Sequence, residues 1–185
     1  MKLLPQIMMR VQGISYGKGC IFKGTPIIVK SKKAQIVLGN RIRIRSSVLS
    51  NLIGLYQRTI ITAKGSARIE IGDDVGMSGI TIYAREYIKI GKKALIGANT
   101  KIFDNDFHPT EPQIRYETPG KQIPSKPVII GDNVFIGCNV LVLKGVTIGE
   151  NSVIGAGSVV SSNIPANSVA AGNPARVIKT LGEKM

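Results

Sequence analysis

A parallel β-helix of triangular section is the fold class that the sequence predicts, and three observations carry it. An aliphatic residue, most often followed by a small one, recurs every six positions at Ile130-Gly131, Ile136-Gly137, Val142-Leu143, Ile148-Gly149, Ile154-Gly155 and Val160-Ser161. Two positions ahead of each stand Val128, Val134, Val140, Val146, Ser152 and Ser158. The same register shows upstream at Leu38-Gly39, Ile71-Gly72, Ile90-Gly91 and Ile96-Gly97. Strand side chains alternate, so positions i−2 and i share a face, and the Gly, Asn and Asp between them supply turns. Three strand-and-turn hexads close one coil, and stacked coils bury one aliphatic column along each face. An ordinary sandwich fails the pattern, because its turns recur at roughly 8–12 residues.

Taken in order, the chain starts with "MKLLPQIMMRVQG", where Leu4, Ile7, Met8 and Val11 have helical spacing. They predict a short amphipathic turn that seals the open end of the coil, in preference to a membrane-surface anchor. Pro5, Gln6 and Arg10 make the stretch a poor signal peptide, and it is too short to span a bilayer. The expected organisation is one domain in three parts: a basic capping segment over 1–33, the β-helix over 34–172, and a short C-terminal α-helix over 173–185. Asn173 would cap that helix, with Pro174 at its first position and Gly182 beyond its last turn.

Composition narrows the classes. With 43% apolar and 19% charged residues, the 185-residue chain is an ordered globular domain. Cys20 and Cys138 form no C-x-x-C and no disulfide framework, which points to a reducing, cytoplasmic setting. The net charge of +14 is lopsided: residues 1–69 hold 13 Lys or Arg and no Asp or Glu, whereas 70–185 hold 12 basic and 11 acidic residues. Such a field attracts polyanions, including an anionic glycan or the anionic inner face of a membrane. Specific nucleic-acid binding is not expected, since no helix-turn-helix, finger or RNA-recognition signature accompanies the charge.

The repeat breaks once at length. Ile102 and Ile130 lie 28 positions apart, no multiple of six, and the intervening "DNDFHPTEPQIRYETPGKQIPSK" is proline-rich. This segment, about 104–127, is expected to leave the coil as a protruding loop, neither helix nor central strand. His108, the single histidine, stands at its root.

The hexads, densest in "PVIIGDNVFIGCNVLVLKGVTIGENSVIGAGSVVSSNIPANSVAAGNPARVIKTL", resemble those of the hexapeptide-repeat acyltransferases over about residues 34–181. The likeness is to the branch of maltose, galactoside and surface-polysaccharide O-acetyltransferases. It implies a left-handed coil, against the usual right-handed crossover. It further implies an acetyl-CoA-dependent O-acetyltransferase acting on a sugar or glycan hydroxyl, as a homotrimer with active sites between subunits and no required metal.

Acetyl transfer from a thioester to a hydroxyl needs a base for the hydroxyl proton, and imidazole suits that work. His108 is the candidate base, with Asp106 or Asp104 as the carboxylate that orients it. The family's catalytic histidine occupies a similar loop-root H-P motif. Asn105, Glu111, Arg115, Tyr116 and Glu117 on the loop, and Ser78 where related enzymes carry Asn, are candidate acceptor contacts. By resemblance, Cys138, Ala156, Ser161 and Ser162 line the coenzyme A wall, while Arg176 and Lys179 meet its phosphates. Cys138 has no neighbouring base in sequence, so direct attack within a ternary complex is expected over a covalent intermediate. An amine acceptor would serve the same base, giving a sugar or antibiotic N-acyltransferase. A metal-dependent carbonic anhydrase on this coil would need several histidines. A non-catalytic polyanion-binding scaffold would carry an uninterrupted repeat.

Overall fold

Three parallel sheets wind around one core in the computed structural model, which describes residues 3–118 and 120–182. The first sheet stacks Ser15–Tyr16, Gln35–Leu38, Arg68–Ile71, Tyr87–Ile90, Val128–Ile130 and Thr147–Ile148. The second stacks Ile21–Lys23, Arg43–Arg45, Gly76–Ser78, Leu95–Ile96, Phe135–Ile136, Val153–Ile154 and Ser168–Gly172, and then Ala175–Thr180. The third stacks Ile27–Lys30, Ile60–Ala63, Thr81–Ala84, Lys101–Phe103, Leu141–Val142 and Val159–Val160. The fold is the left-handed parallel β-helix. It begins at Ser15, so the basic segment assigned to a cap supplies a full coil of its own.

The hexad columns are the core. Leu38, Ile71, Ile90, Ile130 and Ile148 face one another in successive coils, as do Ile44, Met77, Ile96, Ile136 and Ile154. Ile28, Ile61, Ile82, Ile102, Val142 and Val160 complete the third column. All are buried, and each such side chain contributes roughly 1.5–3 kcal/mol through burial. Ser152 and Ser158 occupy the same kind of position without an orphaned hydroxyl. Ser152 donates to the Pro165 carbonyl at 2.7 Å and Ser158 to that of Gly155 at 2.6 Å.

Glycine sets the coil spacing at the corner after the second sheet. A Cβ on Gly97 would lie 2.5 Å from the Gly137 carbonyl carbon and 2.6 Å from the Cys138 nitrogen. Gly97→Val therefore has to separate two coils, and is expected to cost at least about 3 kcal/mol in a denaturant titration. An unchanged midpoint would show that the coils yield at that corner.

The ends differ from expectation. The helix Leu3–Val11 does seal the first coil, but through Met9, which joins the core, and Pro5. Ile7 and Val11, from the expected apolar stripe, are 49% and 82% exposed, and the side chains of Leu4 and Met8 lie outside the described residues. The C-terminal helix is corrected to a strand. Ala175–Thr180 turns back at Asn173-Pro174 and pairs antiparallel with Ser168–Gly172. The physical reason is the unpaired edge of the second sheet, whose backbone groups the strand satisfies; β-branched Val177 and Ile178 suit that role. Residues 183–185 of the expected helix lie outside the described residues.

Two excursions leave the coil. One is the anticipated loop after Phe103; it contains a short helix, Pro112–Glu117, where proline-richness argued against any. Pro112 occupies its first turn, where a missing N–H costs nothing. The other, residues 46–58, was not anticipated. It joins the second sheet to the third and exposes Leu49 and Leu52 by 86% and 85%. Among the described residues, no helix is long and apolar enough to cross a membrane.

Candidate functional site

The root of the 104–127 loop is built from its backbone outward. Its two stalks meet as Asn105 bridges antiparallel to Ser125 and the Asp106 N–H donates to the Pro124 carbonyl at 3.1 Å. The His108 N–H then donates back to the Asp106 carbonyl at 2.7 Å, spanning Phe107 at φ +63°. This is a γ-turn through a bulky residue in the left-handed region, a rare and strained arrangement. Three aromatic rings hold it: Phe107 stands 5.1 Å from Tyr83 and 5.3 Å from Phe103, centroid to centroid. Strain that its surroundings over-determine is a mark of functional positions. Its effect here is to set His108 on the surface immediately beyond a rigid turn.

The two aspartates part company. Asp104 is fully buried, and its oxygens accept from the Arg85 and Glu86 backbone N–H groups, each at 2.8 Å. The Asn105 side-chain amide donates to the same carboxylate at 3.1 Å. Asp104 therefore braces the 85–86 corner of the preceding coil, with both carboxylate oxygens engaged there. Asp106 is bound at 2.7 Å by the ammonium of Lys144, one coil further on. Lys144 escaped sequence reasoning because it lies 38 positions away; only the hexad register, which places it beneath the loop root, could have found it. Among the described residues, neither carboxylate bonds to the imidazole.

Loop candidates also sort themselves. Asn105 is fully buried, and its side-chain oxygen accepts the Phe107 N–H at 3.0 Å, so it supports the turn from inside. Arg115 folds back onto the carbonyls of Pro109 and Thr110 at 3.1 and 2.8 Å, pinning the segment after His108. Glu111 accepts from the Thr110 hydroxyl, and Tyr116 and Glu117 stand in solvent. Ser78, nearly buried, accepts from the Asn51 amide at 3.2 Å.

Sheet register places the remaining candidates. Ile102, Val142 and Val160 align, so the loop root, Leu143-Lys144 and Ser161-Ser162 descend one corner of the coil. Gly97-Ala98, Gly137-Cys138 and Gly155-Ala156 descend another, below Ser78, and Arg176 pairs with Ala171 beneath them. Glycines let successive coils close up at this second corner: a Cβ on Gly137 or Gly155 would lie 2.6 or 2.8 Å from the next coil. The residues beside them, Ala98, Cys138 and Ala156, are small, so a slender amide-bearing chain could lie along the corner and pair with backbone. Lys179 lies further along the last strand, opposite Val169. His108 with Ser161 and Ser162, and Cys138 with Ala156 and Arg176, are thus two groups at two corners of one chain. Among the described residues, no group of His, Cys, Asp and Glu is arranged to hold a metal.

Known proteins resemble this chain in its repeat and its coil. Residues 127–162 match the family described as bacterial transferase hexapeptide (six repeats). A curated relative, the 2,3,4,5-tetrahydropyridine-2,6-dicarboxylate N-acetyltransferase of Shouchella clausii (strain KSM-K16), is 60% identical over 60 residues, 32% of this chain. The match spans only 25% of that relative's length. Among solved structures, a galactoside acetyltransferase in complex with coenzyme A is 28% identical, with a TM-score of 0.58 over 91% of this chain and 65% of its own. A mutant of AntD, an N-acyltransferase from Bacillus cereus in complex with dTDP-4-amino-4,6-dideoxyglucose and coenzyme A, superposes with a TM-score of 0.71 over 96% of this chain and 89% of its own. At 24% identity that last likeness is one of fold.

Proposed function

We propose that this chain, built on the bacterial transferase hexapeptide, is an acetyl-CoA-dependent O-acetyltransferase that modifies a sugar hydroxyl in making or decorating a surface polysaccharide. The observation that carries the reading is His108, surface-exposed on a strained and braced turn where the hexapeptide coil opens. In this reading its imidazole takes the hydroxyl proton as the oxygen attacks the thioester carbonyl, and returns a proton to the departing thiolate. A groove along the corner beside Cys138 and Ala156 would hold the pantetheine, with Arg176 and Lys179 toward the phosphates. Because His108 and that groove occupy different corners, the reading joins one chain's loop root to a neighbour's groove, as the expected homotrimer would. The galactoside acetyltransferase, solved with coenzyme A, supports the donor and a sugar acceptor.

The first test is acceptor-dependent release of coenzyme A from acetyl-CoA across neutral, amino and acidic sugars. Release with any hydroxyl-only sugar supports the reading. No release, together with no thermal protection by coenzyme A, moves the chain to a non-catalytic scaffold.

One observation favours an amine acceptor: the closely similar 60-residue stretch belongs to an N-acetyltransferase. The product decides between them. An O-acetyl ester is expected to be cleaved by alkaline hydroxylamine with release of acetohydroxamate, whereas a product that resists the treatment is an amide and makes the chain an N-acetyltransferase.

A further inference from the structure

We propose that the cleft on the outer face of the second sheet recognises phosphate, so that the sugar acceptor carries a phosphate or diphosphate linkage. The inference rests on the acetyl-transfer reading and narrows its acceptor class.

Arg43 and Arg45 project outward on either side of buried Ile44. In the next coil Gly76 lies opposite Arg43, and Ser78 opposite Arg45. Leu95 and then Phe135 continue the Gly76 row. With no side chain at Gly76, a cleft of about 350 Å³ opens between the arginines and Leu95, and Asn51 from the 46–58 excursion closes its rim. That is the scale of a small-molecule site, with convergent polar groups at one end and an apolar wall at the other. Leu95 and Phe135, 53% and 47% exposed, form the wall.

The arginines of this face make no ion pair within 4.0 Å among the described residues, as is true of other cations in the chain, and what sets them apart is their convergence on one cleft. Arg41 first, and Arg43 with it, hold the Asp74 carboxyl below its ordinary range. Elsewhere Arg41 grips Asp74 through two hydrogen bonds of 2.7 Å, Arg68 is paired with Glu70, and Lys144 with Asp106. The Tyr87 hydroxyl, and then Arg68, hold the Glu70 carboxyl below its ordinary range, so the first sheet's cations meet a committed anion. Arg43 has no carboxylate within 4.0 Å among the described residues, and Arg45 uses one N–H on the Ser50 carbonyl at 2.8 Å. Lys23 adds a third cation beside Arg45. Ser78 already accepts from Asn51, which leaves its proton for a ligand oxygen. Two guanidinium forks with a hydroxyl donor match the tetrahedral oxygens of a phosphate. The apolar wall would take whatever the phosphate is linked to, a nucleoside or a prenyl chain.

The test is calorimetric titration of the full chain, without acetyl-CoA, using UDP-glucose, geranyl diphosphate, glucose and glucuronic acid. Expected is binding of at least one diphosphate and no detectable binding of glucose; the tighter diphosphate identifies the carrier. Arg43→Gln should weaken it by about tenfold and Arg43→Gln/Arg45→Gln by more, while Lys33→Gln, in the turn before Gln35, leaves it unchanged. Arg43 makes no side-chain hydrogen bond among the described residues, so its variant should keep the wild-type thermal midpoint. No diphosphate binding overturns the proposal. So does affinity indifferent to Arg43, affinity lost equally in Lys33→Gln, or glucuronic acid binding as tightly. Binding that depends on Arg43 in a chain that transfers no acetyl group would leave the subsite standing and remove the acetyl-transfer reading.

Discussion

Replacing His108 with alanine is expected to lower acceptor-dependent coenzyme A release at least about a hundredfold, with thermal midpoint and coenzyme A affinity unchanged. General-base catalysis contributes typically about 10²–10⁴-fold, so the loss should reach that range if imidazole removes the acceptor proton. Stability should hold because the side chain is exposed and makes no hydrogen bond among the described residues. The turn that presents it is built from its backbone, Asn105 and three aromatic rings, none of which the substitution touches. The decisive split is in kcat, with the acceptor KM little altered. Activity within a few-fold of wild type would remove His108 from the chemistry. An equal fall in thermal midpoint would make it structural.

Asp104→Ala should produce the largest loss of stability of any substitution at the loop root, roughly 3–5 kcal/mol. Its carboxylate accepts two backbone N–H groups inside a corner with no solvent access, and both would be orphaned. Hydrogen bonds to a buried charge are worth about 1.5–3 kcal/mol each, and an unsatisfied donor adds its desolvation cost. Two positions on, Asp106→Ala removes an ion pair whose side chains are 30% and 29% exposed, which should cost about 1 kcal/mol or less. Parallel urea titrations of the two variants therefore test the assignment directly. Similar midpoints would mean that Asp104 is not the brace its contacts describe.

These neighbours show what a one-dimensional reading reaches. The hexad is legible because strand alternation and close coil contact act at every repeat, so Ile130, Ile136 and Ile154 report the same environment many times over. The loop is legible as a break in that count. The bracing contacts of Asp104 were not legible, because its partners, Arg85 and Glu86, are adjacent only through the coil. The 46–58 excursion carries no repeat of its own, and Asn51 and Asn99, which tie it to the coil, look like ordinary turn residues. "GNPARVIKT" satisfies the rules for a helix start and for a hairpin, and the unpaired sheet edge chose between them. The positive field was visible as a count, but the convergence of Arg43 and Arg45 on one cleft follows from register with Gly76 and Ser78.

The antiparallel strand Ala175–Thr180 also answers a danger inherent in coiled stacks. A parallel β-helix ends in a bare template onto which another molecule's coil could add, and then another, without limit. Reversing the chain direction on the second sheet gives an incoming coil a mismatched ladder, while at the opposite end the Leu3–Val11 helix covers the core with Met9. Growth by end-to-end fibre formation is thereby closed at two places by a handful of residues.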